Sequence, residues 1–240
     1  MNRITFERFA AAALILLLGI CWGCGTGEYE RRLEGRIAEI KTESKFNFLS
    51  QPRDVPDTQV SIRIPQEFKS PPLVEGGEIE GKPIDPRRVK PNVINIPGLK
   101  LTFEGFIEDA NKGKQPYYLY IGVTTDERRA NYPRIMVSEL KSKSNTTTEL
   151  SDLQAPTPQG RSLDWRKCRA TGNQEFYYVP LEGEPSFRRM PGIIDLLFYD
   201  QGDILVIMAW RMPSGLEQSF DFPNWEAMTA GCMRVQSQGQ

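Results

Sequence analysis

The chain has 240 residues, with 30 Lys and Arg against 31 Asp and Glu and a net charge of −1, which excludes a general electrostatic grip on nucleic acid. It has no histidine, which excludes Ser-His-Asp and Cys-His catalysis and any His-containing zinc site. The cysteines at 21, 24, 168 and 232 supply no metal centre, since two belong to the N-terminal leader.

Residues 1–24 have the three zones of an export signal. Arg3 and Arg8 form a basic start softened by Glu7, and an apolar, uncharged run follows over 9–20. Twelve such residues suit a signal-peptide core and are short for a transmembrane helix, which needs ~20. Counting on through Gly27 gives 19 uncharged residues, so an uncleaved anchor is an alternative. The run ends Leu18-Gly19-Ile20-Cys21-Trp22-Gly23-Cys24-Gly25. This resembles the lipobox of bacterial lipoproteins, in which a small residue precedes the cysteine that is lipidated. Cys24 fits through Gly23, whereas Cys21 follows Ile20, a poor residue at that place. The resemblance implies a signal peptide over 1–23, lipidation of Cys24 and a membrane as partner. It places the protein outside the cytoplasm, on the periplasmic face or at the outer membrane. An ordinary secreted protein cut nearby is the alternative.

Residues 24–57 are then anchor, spacer and linker. Tyr29, Leu33, Ile37 and Ile40 recur at helical spacing within 28–45, with charges opposite, which predicts a helical spacer. The stripe is too short to specify a coiled coil. It is open whether its partner is the protein's own domain, another copy or another protein. Residues 50–58 read as linker.

A single domain is expected over 58–236. Val60, Ile62 and Ile64 alternate with Ser61 and Arg63, a half-buried strand stopped by Pro65. Prolines at 71, 72, 83, 86, 91 and 97, with Gly76-Gly77, make 70–98 a surface excursion. Leu99, Leu101 and Phe103 alternate with Lys100, Thr102 and Glu104, a strand with one wet face. A loop at 109–116 leads to a returning strand over 117–125. A helix is predicted over 133–143, with Pro133 at its start, followed by a loop over 144–163. Residues 165–170 and 175–179 read as two strands around Thr171-Gly172-Asn173. Two apolar strands, 193–199 and 204–211, flank the turn Asp200-Gln201-Gly202-Asp203. That turn pairs Ile193, Leu197 and Tyr199 with Trp210, Val206 and Ile204. Both faces are apolar, so this hairpin is expected at the centre of a sheet covered on both sides. The covers are the 133–143 helix and a second helix within 222–233, where Trp225, Met228 and Cys232 share a stripe.

The fold class is therefore α+β, a mainly antiparallel sheet covered by helices on both faces and preceded by a helical spacer. A strand ending Ile64-Pro65, a central antiparallel sheet and a closing Trp-containing helix resemble the Mog1/PsbP-type sandwich over residues 58–236. That resemblance implies a binding or assembly module. The leader and spacer also resemble uncharacterised lipoproteins of the planctomycete type.

In an oxidising compartment, Cys168 and Cys232 suggest one structural disulfide; two buried thiols are the alternative. Asp195 lies inside Ile193-Ile194-Asp195-Leu196-Leu197, where a lone carboxylate is costly to bury. It is either a perturbed carboxylate in a pocket or the partner of an arginine such as Arg211, Arg166 or Arg169. Asp200 and Asp203 flank a turn without calcium-loop spacing. The pairs Arg87-Arg88, Arg128-Arg129 and Arg188-Arg189 form an anion site only if folding unites them. Tyr117, Tyr118, Tyr120, Tyr177 and Tyr178 either stack on sugars or pack in the core.

No P-loop, dinucleotide fingerprint, nucleophile elbow or redox CxxC lies in the folded part, so no cofactor and no catalytic residue is expected. The expected function is a membrane-anchored, non-catalytic binding or assembly module of the cell envelope. Its expected partner is an envelope protein or polysaccharide. The alternative is a His-free hydrolase acting on envelope polysaccharide or peptide, through paired carboxylates ~5–9 Å apart or a Ser-Lys pair.

Overall fold

The structure, a computed structural model, describes residues 26–68, 71–109 and 113–236. The expected signal peptide over 1–23 and Cys24, the expected lipidation site, lie outside the described residues. The chain divides into two units. One runs to Phe46 and takes in Pro158–Gly160, and the other holds Asn47–Thr157 and Arg161 onward.

In the first unit, α1 (Thr26–Ser44) spans the predicted spacer helix. Glu28 in its first turn and Lys41 in its last complement the helix dipole, and Arg32 pairs with Glu28 one turn away. Tyr29, Leu33, Ile37 and Ile40 are all exposed along its apolar stripe. No described helix is long and apolar enough to cross a membrane.

The second unit opens with β1 (Arg53–Asp54) and β2 (Val60–Ile62), paired antiparallel. All of β2 is buried, so the expected wet face is covered. The hairpin β3 (Glu78–Ile79) and β4 (Lys82–Pro83) turns at Glu80-Gly81, both at positive φ, as a tight two-residue turn demands. The one-turn helix α2 (Pro86–Val89) is capped by Asp85, whose carboxylate accepts from the Arg87 backbone N–H at 2.9 Å. This stretch was expected to be a loose excursion, yet Leu73, Ile84 and Val89 form a small core of their own. The stretch is also stitched to the next strand: Leu73 N–H donates to the Thr102 carbonyl at 2.7 Å and Thr102 Oγ1 donates to the Val89 carbonyl at 2.6 Å.

The remaining elements are β5 (Leu99–Asp109), β6 (Gly113–Thr124), α3 (Tyr132–Lys143), β7 (Thr146–Thr147), β8 (Ser151–Pro156), β9 (Ser162–Tyr178), β10 (Ser186–Gln201), β11 (Ile204–Pro213), α4 (Phe222–Gly231) and β12 (Arg234–Val235). Seven strands make one antiparallel sheet in the order β5-β6-β11-β10-β9-β7, and β8 continues along the same edge of β9 as β7. β12 joins β1 and β2 in a small sheet of its own.

Every residue of β11 is buried, as expected for a central strand with two dry faces. One face packs Phe103, Leu119, Leu197, Met208 and Trp210 against β2 and α4. The other packs Tyr120, Leu196, Phe198, Ile207 and Ala209 against α3 and against Ile94 and Ile96. Gly122 lets the segment before β5 lie flat on the sheet, since a Cβ there would meet Ile96 Cγ2 and the Pro97 carbonyl at 2.7 Å. The α+β class with helices on both faces is the fold observed.

Three expectations are corrected in detail. The central hairpin turns on Gly202-Asp203 alone, with Gly202 at φ +62, and pairs Ile193 with Met212 and Leu197 with Met208. The slip is two residues, so side chains keep their face while their partners change. Residues 162–178 form one strand, not two. Gly172 marks no turn; a Cβ there would lie 3.3 Å from the Ser144 Cα and Asn145 N, where the chain leaving α3 crosses close above it. Within the expected loop, β7 and β8 extend that edge; their polar residues hid the strand period.

Candidate functional site

β9 alternates its side chains across the sheet, which sends Lys167 and Arg169 to the same face as Trp165, beneath α4. Asp195 on β10 is the cross-strand partner of Arg169 and stands on that face too. Arg169 grips it with a two-pronged bond, Nε to Oδ1 and Nη2 to Oδ2, both 2.6 Å. Lys167 Nζ lies 2.9 Å from Asp195 Oδ2 and also bonds Glu226 Oε2 from α4. Asp195 is 0% and Glu226 2% exposed, so one lysine bridges two buried carboxyl groups.

Their environments push the two carboxyls apart. Burial acts to raise Asp195, but the Arg169 bond and the Lys167 charge prevail and hold it below the usual carboxylate range. Among the described residues Glu226 has Lys167 as its bonded cation, while Asp195 beside it favours the neutral form. Burial, aided by the charge of Asp195, pushes it up to about 8. Its Oε1 is buried without a hydrogen-bond partner among the described residues, as are Thr229 Oγ1 one turn further along α4 and Trp165 Nε1. Lys167 is itself held above the ordinary lysine range: burial acts to lower it, and the charges of Glu226 and Asp195 outweigh that. A catalytic lysine base needs the opposite shift.

The other face carries a second polar cluster. Arg211 is 1% exposed, and its Nε donates to Gln174 Oε1 at 2.9 Å and its Nη1 to Tyr120 Oη at 3.2 Å. Nη2 donates to the Glu175 carbonyl, and the guanidinium lies over the rings of Phe176 at 4.5 Å and Tyr118 at 5.3 Å. Near it Arg88 grips the buried Glu104 with two bonds and covers the Tyr177 ring at 4.1 Å. Arg87 pairs with Asp85 at 2.8 Å and lies 3.7 Å over Phe187. Arg188 lies 4.3 Å over Tyr178. The expected wet face of the 99–104 strand is corrected here: Thr102 and Glu104 are buried under α2 and its flanks.

Asp195 is thus a paired residue, and of its three expected partners the fold uses Arg169. Arg211 points to the opposite face. Of the arginine pairs, folding brings Arg87, Arg88 and Arg188 to neighbouring rings, while Arg128 pairs with Asp126 and Arg129 caps the Gly202 carbonyl. Arg87 and Arg88 are paired with carboxylates, so the condition for an anion site, the union of the arginine pairs, is not met around them. Tyr117, Tyr118 and Tyr120 are core residues, and guanidinium groups cover Tyr177 and Tyr178. Asp200 and Asp203 are exposed residues at the turn.

The Cys168–Cys232 disulfide is corrected as well: both cysteines are free and buried. Cys168 faces the α3 side among Leu196 and Phe198, whereas Cys232 ends α4 on the opposite side of the sheet. Burial pushes Cys168 up to about 12 and Cys232 up to about 11, so both stay thiols. Sequence reasoning missed Glu226, Lys167 and Gln174. The one signal for the first was a lone acid in the apolar stretch around Trp225 and Met228.

No protein-family model matches this chain, and no curated protein does. Among solved structures it is similar to one from Bacteroides thetaiotaomicron VPI-5482, with 10% identity and a TM-score of 0.32. That match covers 76% of this chain and 47% of the other, so the chain spans less than half the length of that neighbour.

Proposed function

We propose that the chain is a lipid-anchored, extracytoplasmic binding module of the cell envelope, tethered through Cys24 and held off the membrane by α1. The observation that carries this reading is the exposed row of Tyr29, Leu33, Ile37 and Ile40 on a helix that follows directly on the lipobox-like segment. Four large apolar side chains on one stripe of a charged helix are a surface for docking. The Mog1/PsbP-like order of elements agrees with a non-catalytic role. Two or more acyl chains at Cys24 give stable attachment.

The test is the intact mass of protein extracted from its native membrane, joined to crosslinking from a photoreactive residue placed at Ile37. A chain starting at Cys24 with added acyl mass, and a crosslinked envelope component lost on Ile37→Glu, support the reading. An unlipidated N-terminus, or crosslinking unchanged by Ile37→Glu, overturns it.

The alternative reading, a hydrolase, needs paired carboxyls that a substrate can reach, whereas the pair converging on the Lys167 nitrogen, Asp195 and Glu226, is 0% and 2% exposed. Hydrolysis of envelope polysaccharide that survives Asp195→Asn sinks that reading, as does no hydrolysis at all.

A further inference from the structure

α4 contributes one ionisable side chain to its own buried face, Glu226. Every charged group facing it belongs to the sheet or its flanks. β9 supplies Lys167, with Arg169 beyond it, and β10 supplies Asp195. β8 turns Ser151, Leu153 and Ala155 to that face, none of them titratable. The short helix Leu216–Gln218 brings Glu217, whose carboxylate is occupied by the Gly215 N–H at 2.7 Å and whose charge acts on Arg169. The single cation shared by both acids is Lys167, and Asp195 also has the whole Arg169 fork. Among the described residues, one Glu226 oxygen is buried with no hydrogen-bond partner. A neutral carboxyl tolerates that position; an ionised one lacks the donors that burial of a charge requires.

We propose that α4 is a proton-held latch, closed on the sheet while the Glu226 carboxyl is neutral and loosened when it ionises beside Asp195. The geometry makes the device local. α4 spans only Phe222–Gly231, follows the last strand of the large sheet, and is succeeded by the two-residue strand β12. Release frees Phe222 and Ala230 from the dry layer they share with Trp210 and with Ala155 of β8, offering apolar surface under mildly alkaline conditions. Loosening relieves the electrostatic cost by letting water reach Glu226 Oε1 and Thr229 Oγ1. The two carboxyls share Lys167, so their titration is coupled, and the midpoint belongs to the pair. The balance of burial and charge that lifts Glu226 to about 8 puts that midpoint within reach of ordinary environments.

Trp225, adjacent to Glu226, is a built-in reporter: its ring stacks with Phe48 at 5.9 Å and lies 4.7 Å from Phe220. The experiment follows tryptophan fluorescence and near-ultraviolet circular dichroism of the full chain from about pH 6 to about pH 9.5, below most lysine and tyrosine titration. The wild type is compared with Trp225→Phe and Glu226→Gln. Carboxyl carbon NMR of glutamate-labelled wild type tracks Glu226 directly, so the proposal stays testable if the glutamine variant does not fold. The expected result is one transition near pH 8, reduced to the part reported by Trp210 in Trp225→Phe and lost in Glu226→Gln, with the same midpoint as the Glu226 carboxyl resonance. The latch is overturned by a carboxyl resonance that titrates below about pH 6, by a constant Trp225 environment through the Glu226 titration, or by an unchanged transition in Glu226→Gln.

Discussion

The two faces of the central sheet bury charge in opposite ways. Beneath α4, acids and bases are paired, Asp195 with Arg169 and Lys167, and Glu226 is left with half of its hydrogen-bonding capacity unused. On the α3 side Arg211 spends its nitrogens on an amide, a phenol and a backbone carbonyl, and its faces on two aromatic rings. The second arrangement gives its donors neutral partners. The first leaves a group whose protonation state decides whether the site is comfortable. Burial alone does not make a charge cluster responsive; an unfilled valence does.

The largest expected effect comes from breaking the paired cluster. Asp195→Ala leaves Arg169 and Lys167 facing a buried gap and should cost about 3–5 kcal/mol, the usual penalty for removing one partner of a buried ion pair. Urea denaturation checks it, and a loss below 1 kcal/mol would mean that solvent reaches the cluster freely. Next is Arg211→Lys. A point charge cannot serve Gln174, Tyr120 and the Glu175 carbonyl together, so a loss of about 2–3 kcal/mol is expected, with no change in pH dependence.

Glu226→Gln sharpens the comparison. Glu226 sits at about 8 in the folded chain against an ordinary 4.5, so the fold binds its proton more tightly than the unfolded chain does. Its contribution is full below pH 4.5 and is lost as pH rises toward 8. Asp195 has the reverse sign: held below 3.8, it contributes above that value and the contribution is lost in acid. Melting temperature should therefore fall between about pH 5 and about pH 9 in the wild type and fall less in Glu226→Gln. The smallest effect is expected at the rim of the arginine cluster. Arg87→Ala gives up a half-exposed guanidinium over Phe187, and its melting temperature should stay close to that of the wild type. A larger loss there would show that the rim is as buried as Arg211.

Much of this contrast is written in parity along strands. The alternation of Ile193, Asp195 and Leu197 already puts Asp195 on one face, and the two-sided apolarity of β10 and β11 foretells a central hairpin. Glu226, Lys167 and Gln174 carried no such mark, because each acquires meaning from a residue far away in sequence. Lys167 and Glu226 are ordinary charged residues until α4 is laid across β9. Glu104 shows the same limit of local reading: alternation puts it on the polar side of its strand, and only the return of α2 turns that side into interior.

Composition and local pattern by themselves determined the absence of histidine chemistry, the N-terminal helix with its apolar stripe, the mainly antiparallel sheet and the helices of its two covers. Those follow from periods of two and 3.6 residues, which are properties of neighbouring side chains. Only the tertiary structure decided which acid meets which base, that Cys168 and Cys232 lie on opposite sides of the sheet as free thiols, and that of the two buried carboxyls Asp195 has the arginine fork while Glu226 does not. Pairing and burial are set by contacts between distant segments, and the free energy of a charge depends on what those segments leave around it.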